Sequence, residues 1–165
     1  MKAVVTNLKT LAILALSVSL VITVTLTGGC AGKGEGTNRQ EVTFDQLFSN
    51  PEQYHGRYIT LEGFYFQGFE VIVLSEDLKY SGYAEGHLIP EGRMLWIEGG
   101  IPQEIYDQLY QQQMMGPTER YGKMRVKGKL EYGGQYGHLG QYNYQITPSE
   151  VEFISWIPPR NRGAK

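Results

Sequence analysis

Two glycines set in the middle of otherwise regular strand patterns constrain this chain more than any other feature. Gly56 to Gly68 (Gly-Arg-Tyr-Ile-Thr-Leu-Glu-Gly-Phe-Tyr-Phe-Gln-Gly) alternates as one long strand with an apolar row at Ile59, Leu61 and Tyr65, and Gly63 stands in that row without a side chain. Gly122 to Tyr132 repeats the design. Met124, Val126, Leu130 and Tyr132 fall on one face, Arg125, Lys127, Lys129 and Glu131 on the other, and Gly128 sits between the halves. An isolated glycine inside a strand marks a bulge or a sharp bend where a sheet coils over itself. Two such strands predict a small closed barrel.

The start of the chain reads as an export signal rather than as part of the fold. Lys2 and Lys9 form a short basic start, Leu11 to Thr27 is uncharged, and Thr27-Gly28-Gly29-Cys30 follows. The small residues before the chain's single cysteine resemble the lipobox of bacterial lipoproteins, in which a lipid is attached to the cysteine thiol and the chain is cut just before it. The family pattern prefers leucine three residues before the cysteine; here Thr27 holds that place and Leu26 lies one further back. The resemblance implies a signal peptide over residues 1–29 and a palmitate-bearing Cys30 that holds the protein to the extracytoplasmic face of the cell membrane. The other reading is an uncleaved anchor, since the apolar run approaches the length of a short spanning helix. In both, the domain is exported and tethered, and a cysteine used for lipid leaves none for a disulfide.

Residues 30–42 read as the lipidated cysteine and a flexible tether, with Gly32, Gly34 and Gly36 interleaved with Lys33 and Glu35. Gly32-Lys33-Gly34 begins like a phosphate-binding loop, but no strand precedes it and no helix follows directly, so that reading lacks its structural context. Residues 43–157 are expected to form one domain, and 158–165 a disordered, proline-led tail. Lys2 and Lys9 are the only charges before Cys30. Of the 15 basic and 17 acidic residues, two basic ones therefore leave with the signal, and the remainder carries −4. That balance disfavours a polyanionic partner. Twelve tyrosines against six phenylalanines and two tryptophans suit sheet surfaces where a ring packs and its hydroxyl stays wet.

Within the domain, Thr43 is expected to cap a short helix with Gln46 as its reciprocal partner, Phe44, Leu47 and Phe48 to form its apolar face, and Pro51 to end or restart it. The run from Phe44 to Gly63, with Asn50-Pro51-Glu52-Gln53-Tyr54-His55-Gly56-Arg57 leading into the first long strand, resembles the opening of exported bacterial OB-fold proteins. A second strand is read at Phe69 to Ser75, an irregular connection from Glu76 to Gly92, a third strand at Arg93 to Glu98, and a helix from Pro102 carrying Ile105 and Leu109. The strand around Gly128 follows, then a glycine–tyrosine loop from Gly133 to Gly140 and a last strand from Tyr142 to Trp156 interrupted by Pro148. Strand, strand, strand, helix, strand, strand is the order of the OB-fold. The chain is thus similar to a mainly β, five-stranded Greek-key OB-fold barrel of the tRNA-anticodon-binding type, with a short N-terminal helix and one helix between strands three and four.

Candidates for catalysis are poor. His55, His87 and His138 are far apart, each beside a glycine in a predicted turn, with no His-x-x-x-His or Cys-x-x-Cys spacing, and no serine lies in a Gly-x-Ser-x-Gly elbow. Three surface histidines are the simpler reading; convergence at one barrel end with Glu85 or Glu98 is the alternative. No cofactor, metal or catalytic residue is expected. Arg125, Lys127 and Lys129 beside many tyrosines offer a single-strand nucleic-acid surface, against which stand the net charge and the ordinary polar face of an antiparallel strand.

The OB-fold resemblance implies a ligand-binding face flanked by the loops between strands one and two, here Gln67-Gly68, and between strands four and five, here Gly133 to Gly140. Tyr136, His138 and Tyr142 supply flat rings with polar tips there. Phe64, Phe66 and Trp96, opposite the apolar rows, are expected to wall the site. The reading is a non-catalytic binding module. Its alternatives are an assembly subunit that meets a partner protein of the cell envelope and, more weakly, an oligosaccharide or single-strand binder.

Overall fold

The computed structural model describes residues 40–114 and 116–159, all within one compact unit. The chain is mainly β. In order it forms β1 (Glu41–Val42), α1 (Phe44–Ser49), α2 (Pro51–Tyr54), β2 (Tyr58–Gly68), β3 (Val71–Tyr80), β4 (Leu88–Ile97), α3 (Gln103–Tyr106), β5 (Tyr110–Gln112), β6 (Glu119–Tyr136) and β7 (Tyr142–Phe153). The five long strands arrive in the expected order, but the sheet has seven members rather than five, because the short β1 and β5 join it. Its strands lie in the order β1-β2-β3-β4-β7-β6-β5, with β2 also paired to β6.

The local signals at the start act as the sequence dictates. Thr43 Oγ1 accepts from Gln46 N at 3.2 Å, and Gln46 Oε1 accepts from Thr43 N at 2.9 Å, so two otherwise orphaned donors of α1 are satisfied reciprocally. Phe44 and Leu47 are buried, and Tyr54 follows them from α2. The chain then turns at Gly56, whose φ of +74° suits glycine, and its N–H donates to Leu130 O at 2.8 Å. Ile59, Leu61 and Tyr65 from β2 meet Met124, Val126 and Leu130 from β6 in the main core.

Each bend glycine marks a change in pairing, of neighbour at Gly63 and of register at Gly128. Before Gly63, β2 pairs with β1 at Thr60 and Leu61; after it, with β3 from Phe64 onward, while β6 runs along its other edge from Tyr58 to Gln67. At Gly128 the β6–β7 ladder skips a residue: Lys127 faces Glu150 and Gly128 faces Pro148, leaving Ser149 bulged. Pro148 lacks an N–H, and the bulge beside it is where a strand tolerates that loss.

Three expected segments differ. The irregular stretch 76–92 shrinks to seven residues, because β3 runs on to Tyr80 and β4 begins at Leu88. A bulge between Ser75 and Asp77 lets β3 continue through polar residues, and Arg93 fixes it, with Nε donating to Glu76 Oε2 at 2.8 Å and Nη2 donating to Asp45 Oδ1 at 2.7 Å. The helix after Pro102 is one turn, Gln103–Tyr106. Leu109 leaves it to become buried, and Tyr110 pairs with Tyr121, because the core and the free edge of β6 recruit residues that helical spacing alone would have kept. Finally, β6 passes through a bulge after Tyr132, where Gly133 has a φ of +83°, and continues to Tyr136, so the loop before β7 is only 137–141.

Candidate functional site

The tight turn between β2 and β3 is Phe69–Glu70, two residues beyond the expected Gln67-Gly68, since Gly68 still pairs with Val71. The turn between β6 and β7 is Gly137–Gln141, with a short 3-10 turn at His138–Gly140. These two turns meet. His138 Nε2 lies 3.2 Å from Glu70 Oε2, both side chains half exposed. Glu70 (φ 59°) and Leu139 (φ 54°) are the only non-glycine residues with left-handed backbone among those described, one in each turn. Such a conformation costs about 1–2 kcal/mol for an L-residue, and strain of this kind gathers where function needs a fixed shape. The turns also carry two of the most exposed apolar side chains, Phe69 at 69% and Leu139 at 80%.

Beneath the turns, Gly137 lies flat on the Trp96 indole. A β-carbon there would meet the ring at 2.5 Å and Tyr142 at 2.8 Å, so only glycine permits the approach. Trp96 and Tyr142 pack at 5.6 Å, and Trp96 Nε1 donates to Glu98 Oε2 at 3.0 Å. Burial pushes the Tyr142 hydroxyl above its ordinary range. Tyr136 folds its ring back over Gly134, where a β-carbon would collide with it at 2.4 Å. Four of the expected site residues, Tyr136, His138, Tyr142 and Trp96, thus belong to or underlie the β6–β7 turn. Phe64 and Phe66 do not wall the site. Phe66 is 5% exposed in a second apolar cluster with Val73, Leu78, Leu88 and Tyr121, and Phe64 is covered edge-on by Trp156 at 5.0 Å. The face of β2 opposite the main core is itself a core. Cys30 lies outside the described residues.

The histidines go to separate partners. His55 Nδ1 accepts from Tyr132 N at 3.0 Å, His87 Nε2 lies 2.8 Å from Glu119 Oε2, and His138 meets Glu70. Among the described residues no three His, Cys, Asp or Glu side chains gather as metal ligands. The basic row of β6 is matched by carboxylates. Arg125 meets Glu62 at 3.2 Å and Glu152 at 2.7 Å, Lys127 meets Glu150 at 3.2 Å, and Lys129 meets Glu131 at 3.5 Å. Hydrogen bonding to Lys123, reinforced by Arg125, holds the Glu62 carboxyl below its ordinary range despite partial desolvation. The shallow groove between β1, β6 and β7 is therefore a row of paired charges, not an open cationic track.

Phe69, Glu70 and Leu139 were not singled out in the sequence. Leu139 carried a usable signal, an aliphatic residue between His138 and Gly140 in a loop with no helical or strand period to bury it. No protein-family model, curated protein or solved structure matches the chain.

Proposed function

We propose that this chain is a lipoprotein, anchored through Cys30 at the extracytoplasmic face of the cell membrane, whose domain is an OB-fold barrel acting as a non-catalytic binding module. Three features support the barrel. The long strands pair in a circuit, β2 with β3, β3 with β4, β4 with β7, β7 with β6 and β6 with β2; β4 and β7 run parallel; and α3 lies between the third and fourth long strands. The observation that carries the function is the Glu70–His138 pair, which joins the turn after the first long strand to the turn between the last two, the turns that flank ligands in that fold. Thr60 N donates to Gln40 O at 3.1 Å, so the chain enters at the start of β2. Phe69 lies nine residues further along, so the joined turns are at the opposite end of β2 from the point where the chain enters it.

An envelope protein partner, and so a role in assembly, is favoured by the exposed Phe69 and Leu139. Neither side chain carries a polar atom and Leu139 offers no flat face for a sugar ring or base, so the exposed pair suits a protein surface better. A photo-crosslinking side chain at Leu139 should give one discrete protein adduct in native membranes, lost on Glu70→Ala with His138→Ala, whereas the same group at Tyr58, at the far end of β2, should give none. An adduct from Tyr58 but not from Leu139 would remove the joined turns from the site. Cys30 is expected to carry lipid. Metabolic labelling with a fatty-acid analogue should mark the wild type and leave Cys30→Ala unlabelled; equal labelling of the two would refute the anchor.

A further inference from the structure

We propose a second binding site on the opposite face of β2: a groove for extended polypeptide segments of the type aromatic-x-Pro-Pro, filled in cis by residues 155–159 of this chain and opened to a partner polypeptide when they lift away. This site does not depend on the barrel assignment or on the joined turns.

The starting observation is how the second apolar cluster is covered. β7 ends at Phe153, and Ile154 N donates to Lys123 O at 2.9 Å. Beyond that bond, among the described residues, Trp156-Ile157-Pro158-Pro159 makes no backbone–backbone hydrogen bond. Side chains of the groove hold it instead. Trp156 stands edge-on to Phe64 at 5.0 Å, to Tyr110 at 6.1 Å and to Tyr121 at 6.5 Å. The Tyr110 hydroxyl donates to Trp156 O, and the Tyr80 hydroxyl donates to Pro159 O.

The chemistry of these contacts identifies what the groove accepts. Proline offers a carbonyl and no N–H, so a proline-rich segment is recognised by donors aimed at its carbonyls and by flat apolar surfaces against its rings. Tyr80 and Tyr110 supply the donors, and their rings lie in the apolar cluster that lines the groove. Trp156 and Pro159 are three residues apart, the spacing at which a polyproline II helix would present two carbonyls the same way, about 9 Å apart. Tyr110 and Tyr80 meet those two. The segment between them contributes little else, since Ile157 is 83% exposed.

The occupant is also removable. Without a backbone ladder the segment opens by breaking two hydroxyl bonds and withdrawing one indole, and stiff prolines lose little conformational freedom on docking from outside. An uncovered groove of Phe64, Tyr110 and Tyr121 would be an exposed apolar patch, so a segment of like chemistry replaces the resident one. A different polypeptide suits this better than a second copy of the chain. Trp156 lies only two positions, about 7 Å, beyond Ile154, which is still bonded to its own sheet, and that leaves no hinge for exchange between two whole domains.

The test uses the full chain and a fluorescent peptide copying residues 154–160 as the probe. Trp156→Ala should bind it about tenfold more tightly than the wild type, in which the resident tail leaves the groove free a tenth of the time or less. Adding Tyr80→Phe and Tyr110→Phe to Trp156→Ala should return binding to the wild-type level, and a peptide with alanine in place of its tryptophan should not bind. A folded Trp156→Ala variant that ignores the peptide, or equal binding by the two proteins, overturns the groove. A Trp156→Ala variant that does not fold makes Trp156 a fixed core anchor and overturns it equally. A wild-type dimer that Trp156→Ala abolishes reassigns the incoming segment to a second copy and overturns the partner assignment.

Discussion

Replacing Gly128 with alanine is expected to remove about 3 kcal/mol of stability, at the upper end of overpacking costs, and valine to leave the domain largely unfolded at room temperature. The reason is contact with backbone. A β-carbon at Gly128 would stand 2.4 Å from Thr147 O and 2.9 Å from both Thr147 C and Ile146 Cγ1, and the bulge at Ser149 pins that stretch of β7 in place. Its counterpart Gly63 is more forgiving. There a β-carbon would meet Ser75 O at 2.8 Å but Leu74 Cγ and the Phe44 ring at 3.0 Å, and two of those three neighbours are side chains that can shift. Gly63→Ala should therefore cost about 1–2 kcal/mol. Gly82 serves as control: its surroundings are open but its φ is +76°, so alanine there costs about 1 kcal/mol from backbone strain alone. Urea unfolding of the three variants checks the order. A Gly128→Ala variant no less stable than Gly82→Ala would mean that the two strands do not close at Gly128.

Glu119→Leu is expected to cost about 2 kcal/mol, because one carboxylate serves two enclosed donors. Its Oε2 lies 2.8 Å from His87 Nε2 and accepts from Gln112 Nε2, also at 2.8 Å. Gln112 in turn takes Leu88 N on its Oε1 at 3.0 Å and donates to Leu88 O, so its amide stands in for a missing strand neighbour at the start of β4. His87 is 6% exposed and its Nδ1 has no partner among the described residues, which leaves the ring no alternative there when Glu119 is removed. A stranded buried donor costs about 1–3 kcal/mol, whereas replacing both partners with apolar groups is close to neutral. The double variant Glu119→Leu with His87→Phe should therefore recover about half of the loss, measured by urea unfolding at neutral pH. Since the Glu119 side chain is 24% exposed, the middle of the range is expected rather than its top. Strict additivity of the two single changes would show that the pair is not coupled.

Much of this protein is written in short-range pattern. The capping box at Thr43 and Gln46, the restart at Pro51, the inward rows Ile59–Leu61–Tyr65 and Met124–Val126–Leu130 and the order of the five long strands follow from alternation and capping, which depend on residues within a few positions of one another. The β6–β7 turn was legible for the same reason: glycines beside Tyr136, His138 and Tyr142 mark a turn whatever it faces.

What tertiary structure alone decided lies at long sequence separation. Phe66 reads as a surface residue because it alternates with Tyr65, and it becomes core because the second face of β2 is apolar across β3 and β4 as well. Phe64 beside it is covered by Trp156, which returns from 92 positions further along the chain. The polar run from Glu76 to Tyr80 lacks strand character of its own, yet it is strand because Arg93 pairs with Glu76 across a bulge. Leu109 leaves a helical pattern because the main core buries it, and Glu70 meets His138 because the register of β2 on β3 and of β6 on β7 brings two separate turns to one end of the sheet. Alternation fixes which way a side chain points from its own strand. It carries no information about what another part of the chain will lay against it, and in this protein the second core and the joined turns are both made by such distant contacts.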